Sequence, residues 1–457
     1  MSRAPGALAI VLHTHMPYVE GFGTWPFGEE WLWEAIATCY LPLLDVLDAA
    51  PGRVTLSVTP VLGDQLEAPG ALERCAAFLR EVRPESHRLD IAAAREPGVA
   101  AALERSAAGY ERAAAALERG DAAARLAAHA SWTSAATHPV LPLLATSGGV
   151  RLQLASGIAG HRARSDRWEG GLWLAECAHA PSLDERLEEA GVRATCVDLT
   201  DVLGRGADAQ LRPLRSPAGP LLVPIDRALI ELVWSDAGYP SRGAYRDTRR
   251  LTGHRHQAWA VADAPYDAAR GAAQARADAA DFAEQAAARV RHGGLAVVAF
   301  DTELLGLHWH EGVTWLAELL AAAGRRRLEI APLDALLERF DPAPAPELPV
   351  TSWGTPRTLA TWSGAAAGGL AWRQRAAELR AVAAQPGVPD RALRELLALQ
   401  SSDWAFLAAR GTAGPYPAAR AAAHEQAFDA ALADPGEHAD ALRNLAPYLA
   451  RDALVAP

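Results

Sequence analysis

Three apolar runs in this chain end in side chains suited to sugar chemistry. Ala7–Leu12 (ALAIVL) leads into His13-Thr14-His15, Gly171–Ala175 (GLWLA) into Glu176, and Leu295–Phe300 (LAVVAF) into Asp301-Thr302-Glu303. In α/β barrels the loops at the carboxyl ends of the strands build the active site, so polar residues there read as catalytic. Two carboxylates facing each other across a substrate are the raw material of a glycosidase. Each residue also has a plainer reading. Glu176 sits among apolar neighbours, which is costly for a carboxylate unless it is used or paired. It is either a nucleophile for an anomeric carbon or a structural carboxylate held by an Arg or a helix end. Asp301 lies near Phe300, Leu304 and Trp309, where burial would raise its pKa and fit it to donate a proton. Glu303 lies on the same side and either shares that role or orients a neighbour; the alternative for the whole motif is again structural. His13 and His15 stand two apart on a strand end and so share one face. They either contact a neutral polyol, ligate a metal with His138 or His308 as a third ligand, or are structural.

Positioning these groups requires alternating strands and helices. Strand-like runs fall at Ala7–His15, Arg53–Thr59, Val150–Ala155, Gly171–Glu176, Arg193–Asp198, Pro220–Asp226, Gly294–Asp301 and Arg327–Ala331. Most are short and almost wholly apolar, as suits strands buried on both faces of a parallel sheet. Helical patterns lie between them, most plainly at Val99–His129 and Asp267–Arg291. Such alternation predicts an α/β fold, here closed into a barrel. The run DPAPAPELP at Asp341–Pro349 stiffens a connector and prevents helix, which places the main boundary there. The expected division is a catalytic barrel over 1–340, a connector over 341–349 and a helical domain over 350–457. Within that last part, Leu370–Ala384, Asp390–Arg410, Pro417–Ala433 and His438–Arg451 read as helices.

Composition narrows the function classes. The net charge is −11, all 44 basic residues are Arg, and the one basic cluster is Arg325-Arg326-Arg327. That balance argues against nucleic acid or an anionic membrane as partner. No run reaches the roughly eighteen apolar residues of a membrane span, and the first residues lack the pattern of a signal peptide. Cys39, Cys75, Cys177 and Cys196 show no metal-type spacing and read as free thiols, which makes the cytoplasm the expected location. Fourteen Trp offer flat apolar faces with one donor, the surface on which sugar rings stack, although most are expected in the core.

With these residues in hand the chain resembles glycoside hydrolase family 57, and within it the 1,4-α-glucan branching enzymes. His13-Thr14-His15-Met16-Pro17-Tyr18-Val19 is similar to the family's first motif, and WTSAATHPVLPLL at Trp132–Leu144 to its second. Trp173–Ala178 (WLAECA) resembles the third and Phe300–Leu304 (FDTEL) the fourth. Trp353 and Trp362 resemble the aromatic pair of the fifth, and Gln400-Ser401-Ser402-Asp403-Trp404 a segment of the branching-enzyme C-terminal region. The resemblance implies an incomplete (β/α)7 barrel with a C-terminal α-helical domain completing the cleft. It implies Glu176 as nucleophile and Asp301 as acid/base of a retaining double displacement that cleaves α-1,4 bonds and forms α-1,6 branches. It further implies His13, His15 and His138 as glucose contacts, Trp353 and Trp362 as cleft aromatics, and Asp403 and Trp404 as part of the substrate cleft. With Trp353 and Trp362, Trp259 and Trp309 are the stacking candidates among the Trp residues. An α-1,4-glucan such as amylose or glycogen is the implied partner, with no metal or other cofactor. The chain departs from the family pattern at Ala175, His179 and Leu307, and between Asp201 and Pro224 it lacks the Tyr that branching enzymes carry on a loop. An amylase-type hydrolase, a 4-α-glucanotransferase, a non-catalytic glucan-binding protein and a metal-dependent hydrolase using His13 and His15 are the competing readings.

Overall fold

A computed structural model describes residues 6–24, 26–217, 219–434 and 444–455. Its strands are β1 (Ala7–Thr14), β2 (Thr55–Val58), β3 (Ala130–Ser134), β4 (Leu172–Trp173), β5 (Ala194–Val197), β6 (Leu214–Arg215), β7 (Leu221–Pro224), β8 (Leu295–Asp301), β9 (Glu329–Ile330) and β10 (Ala343–Pro344). One sheet runs β4-β3-β2-β1-β8 with every pair parallel, and β9 lies beside the first residues of β1. A second sheet runs β10-β6-β7-β5. A parallel bridge between Gly171 and Ala194 links the two sheets at one side. On the other side the Asp226 N–H donates to the Val297 carbonyl at 2.7 Å. The molecule is therefore α/β, with a curled, largely parallel sheet.

All eight residues of β1 are buried, as are Leu295–Phe300 of β8. That follows from their unbroken apolar character, because helices cover the sheet. Ala268–Arg289 and Gly312–Arg325 pack Phe282, Trp315 and Leu319 into the same core. The C-terminal helices Gly368–Ala383, Asp390–Leu399, Ser402–Arg410 and Tyr416–Ala433 share a second core, which takes in Tyr18, Val61 and Leu152. All four cysteines are buried free thiols. Among the described residues no helix is long and apolar enough to cross a membrane.

The structure corrects several expected elements. Val150–Ala155 is not a strand but the interior of a helix, Ser147–Arg164. A short apolar run suits a buried helix as well as a strand, and Thr146 caps this one by accepting from the Gly149 N–H at 3.0 Å. The third strand is Ala130–Ser134, concealed at the end of an Ala-rich stretch. The helix expected over Val99–His129 is two helices, Pro97–Leu117 and Ala122–His129, broken where Gly120 takes a φ of 70°. The helix expected over Asp390–Arg410 breaks at Gln400–Ser401. Of the expected helix His438–Arg451, residues 438–443 lie outside the described residues and 444–450 are irregular. The Pro-rich connector contributes β10, which pairs with β6 at the sheet edge, the place a Pro can occupy in a sheet.

Candidate active site

Strand register brings the chemistry together. His13 lies opposite Ser57 of β2 on one side and Asp301 of β8 on the other, so these three form a row at the carboxyl ends of adjacent strands. Trp173 ends β4 next to Ser134 of β3, and Glu176 follows in a tight turn over Ala175–Cys177. Glu176, Cys177 and His138 all have φ between 49° and 63° without being glycines. Such backbone costs of order 1–3 kcal/mol per residue and persists where the surroundings over-determine it. Three of them converge here, where the break at Gln400–Ser401 also aims the first turn of Ser402–Arg410.

The two half-buried carboxyls sit in opposite hydrogen-bond environments. Glu176 accepts from Trp353 Nε1 at 3.0 Å on one oxygen and from Ser402 Oγ at 3.0 Å on the other. Burial raises its pKa, and these two donors hold the rise back. Asp301 receives no hydrogen bond at its carboxyl among the described residues, and burial lifts its pKa well above the usual range. Next in weight are the negative charges of Glu303, Glu176 and Asp403, which places all four carboxyls in one electrostatic cluster. Glu303 accepts from the Tyr40 hydroxyl at 2.6 Å and from the His15 N–H at 3.1 Å. Burial pushes it up to about 7. It ties the end of β1 to the turn after β8.

The histidines form a stack. His15 lies 4.0 Å from His138 and His13 4.8 Å from Trp173, ring centre to ring centre. His15 Nε2 meets the Asp403 carboxylate at 3.0 Å and Nδ1 meets Thr59 Oγ1 at 3.2 Å. Burial alone would lower its pKa, but the Asp403 charge and hydrogen bond outweigh it and the pKa rises. His13 and His138 join through their Nε2 atoms at 2.9 Å. Their pKa values fall well below the usual range, from burial first and then from charged histidine neighbours. His15, His138 and Asp403 bring possible ligand atoms within 4.8 Å of one another. Both nitrogens of each ring already have protein partners, so as built the trio is part of a hydrogen-bond network.

The aromatic residues divide. Trp353 lies beside Glu176, edge-on to Trp173 and Trp234. Trp309 (1% exposed), Trp362 (2%) and Trp404 (0%) are sealed in apolar packing and have no face for a sugar. Trp309 packs on Tyr245 and Trp315, Trp362 with Val140 and Ala178, and Trp404 donates its N–H to the Ala398 carbonyl. Trp259 lies under the Arg250 guanidinium and packs against a separate small apolar cluster that includes Val99, Leu103 and Tyr266. The sequence reading missed Trp234, 42% exposed with its ring 5.4 Å from that of Trp353. It also missed Ser402 and Ser57; a lone Ser carries no local signal beyond the helix start at Ser401-Ser402-Asp403. His179 is fully buried, bonded to Asp184 and paired with Thr351 across the connector, so its departure from the family pattern serves the scaffold.

A parallel α/β sheet that gathers two carboxyls at its strand ends is compatible with the paired-carboxylate chemistry of glycosidic bonds. The family model for glycosyl hydrolase family 57 matches residues 132–343, and that for the 1,4-alpha-glucan branching enzyme C-terminal region matches 373–452. A probable 1,4-alpha-glucan branching enzyme of Mycobacterium tuberculosis is 32% identical over 495 residues, spanning 93% of this chain and 91% of the relative. The crystal structure of a family 57 branching enzyme from Thermococcus kodakaraensis superposes with a TM-score of 0.89 at 26% identity, covering 99% of this chain and 96% of that one. The corresponding enzyme of Pyrococcus horikoshii gives 0.85 at 28% identity, covering 92% and 88%. The chain belongs to glycosyl hydrolase family 57.

Proposed function

We propose that this protein is a 1,4-α-glucan branching enzyme working by retaining double displacement, with Glu176 as nucleophile and Asp301 as acid/base. The carrying observation is the asymmetry of the two carboxyls. Pairs of acids whose surroundings separate their pKa values mark the acid and base roles. Glu176, with two donors, is the group favoured as a carboxylate, and Asp301, with no donor and three negative neighbours, is the group that keeps its proton. In the first step Glu176 attacks the anomeric carbon and the glycosidic C–O bond breaks, while Asp301 gives its proton to the leaving oxygen. In the second, Asp301 takes the proton of an acceptor 6-hydroxyl, whose oxygen displaces Glu176 and leaves an α-1,6 bond. We place sugar rings against Trp353 and Trp234, with His15 and Asp403 on their polar edge. The enzyme lacks a Tyr between residues 201 and 224, and Tyr239 and Tyr245 are buried against Asp281 and Asp278, so acceptor selection falls to Trp234 and its surroundings.

We also read the strands as an incomplete (β/α)7 barrel of β1–β5, β7 and β8, which the Gly171–Ala194 bridge and the Asp226–Val297 hydrogen bond support. In that reading 1–340 form the catalytic barrel, 341–349 the connector, and 350–457 a helical domain that supplies Trp353, Ser402 and Asp403 to the cleft. Four free thiols suit a reducing compartment, and we assign the enzyme to the cytoplasm and to glycogen-like glucan synthesis. The test is incubation with amylose. Branching predicts new α-1,6 bonds with few new reducing ends, and Glu176→Gln removes both. Reducing ends without α-1,6 bonds would make the protein a hydrolase, and transfer products free of α-1,6 bonds a 4-α-glucanotransferase.

A further inference from the structure

We infer that Ser57, His13, His138 and Ser402 form a directional hydrogen-bond relay that holds Glu176 ready for attack, with His13 and His138 acting as positioning residues rather than sugar contacts. The inference rests on Glu176 being the nucleophile. The chain is continuous: Ser57 Oγ meets His13 Nδ1 at 3.3 Å, His13 Nε2 meets His138 Nε2 at 2.9 Å, His138 Nδ1 meets Ser402 Oγ at 2.9 Å, and Ser402 Oγ meets Glu176 at 3.0 Å. All four relay side chains are buried. Both nitrogens of both rings are consumed within the chain, which leaves none for a glucose hydroxyl.

Counting protons fixes the direction. Ser402 carries one hydroxyl hydrogen and has two neighbours that can accept it, Glu176 and His138 Nδ1. A Glu176 carboxylate claims it. His138 must then donate from Nδ1, so its neutral ring accepts at Nε2. His13 must in turn donate from Nε2 and accept at Nδ1, and Ser57 must donate to His13. Every bond points toward Glu176, and each ring carries one proton. When Glu176 takes a proton from solvent the order inverts. Glu176 donates to Ser402, Ser402 to His138 Nδ1, His138 Nε2 to His13 Nε2, and His13 Nδ1 to Ser57. Ser57 then has an outlet in the Thr133 carbonyl at 3.3 Å. The two states differ by the single proton on Glu176. The relay ends at a serine with two alternative acceptors, which allows both.

This arrangement requires neutral rings, and the burial that keeps both pKa values low supplies that condition. Bonds in such a chain polarise one another, so a change at Ser57 reaches Glu176 through three intermediaries. The other ionisable groups around Glu176 are His15 from the end of β1, Asp301 and Glu303 from the end of β8 and Asp403 from the helix start. None of them belongs to the relay.

Two measurements on the full chain test the relay. The first is ¹⁵N NMR of the histidine rings above the acidic limb of the pH profile. The relay predicts that His138 carries its proton on Nδ1 and His13 on Nε2; the opposite tautomers would overturn it. The second uses variants. Ser402→Ala removes the last donor and is expected to shift the acidic limb of kcat/KM up by about one to two pH units, while Ser402→Thr restores it. Ser57→Ala, at the far end of the relay from Glu176, is expected to shift the same limb in the same direction by a smaller amount. A Ser57→Ala enzyme that loses activity with an unmoved limb would make Ser57 merely structural and overturn the relay. If instead Glu176→Gln keeps normal turnover while the tautomers are as stated, the nucleophile assignment fails and the relay geometry survives.

Discussion

Replacing Trp353 with Phe keeps the ring against Trp173 and Trp234 but deletes the N–H that reaches Glu176 at 3.0 Å. A hydrogen bond to a charged group contributes about 1.5–3 kcal/mol, and one pKa unit corresponds to about 1.36 kcal/mol. Burial already raises Glu176, so the loss moves it further up, by about one to two units. Attack needs the carboxylate. The acidic limb of kcat/KM should therefore move up by that amount, with the alkaline plateau kept within about tenfold because the nucleophile itself is intact. Stability follows with a definite sign. A carboxyl whose folded pKa exceeds its unfolded value stabilises the fold least when ionised, so its penalty grows as pH rises from the unfolded pKa through the folded one. Thermal melts of Trp353→Phe should match wild type near pH 4 and fall increasingly below it toward pH 8. The assay is a pH–rate profile on amylose paired with those melts. An acidic limb that stays in place, or moves down, refutes the reasoning.

Other consequences follow from the same contacts. Asp301→Asn should lower turnover on amylose by about 10²–10⁴-fold, and a substrate with a good leaving group, which needs no proton, should recover much of the first step. Trp234→Ala should raise KM for glucan about three- to tenfold with kcat nearly unchanged, as measured by initial rates, because it removes one exposed aromatic face. Arg164→Met leaves the buried Asp64 carboxylate, now 2.6 Å from the guanidinium, without its cation. Guanidinium unfolding should show a loss of about 3–5 kcal/mol.

Much of this site was legible because the strands that carry it are unusually clear. β1 and β8 are unbroken apolar runs up to His13 and Asp301, and those two residues pair in the sheet next to the carboxyl ends of their strands. The misreading at Val150–Ala155 has a physical origin, since a helix buried on several sides presents the same apolar run as a strand. Ala130–Ser134 escaped notice because Ala and Ser carry little strand preference, and its pairing with β2 and β4 decides its conformation. The aromatic residues were the hardest to place. Nothing local separates Trp309, sealed in the core, from Trp234, exposed beside Trp353. That distinction arises only when distant segments pack. The same holds for Ser402, which lies 226 residues beyond Glu176 and whose role depends on Glu176, His138 and the helix break just before it.

The central claim is the division of labour between Glu176 and Asp301, and azide rescue tests it directly. Glu176→Ala and Asp301→Ala are each incubated with an α-glucosyl donor bearing a good leaving group and excess azide, and the anomeric configuration of the glycosyl azide is determined by NMR. Removing the nucleophile lets azide enter from its vacated face, so Glu176→Ala should give the β-azide by one inversion. Removing the acid/base leaves the covalent intermediate to be opened by azide, so Asp301→Ala should give the α-azide with net retention. The reverse pair of products, or β-azide from both variants, would contradict the assignment.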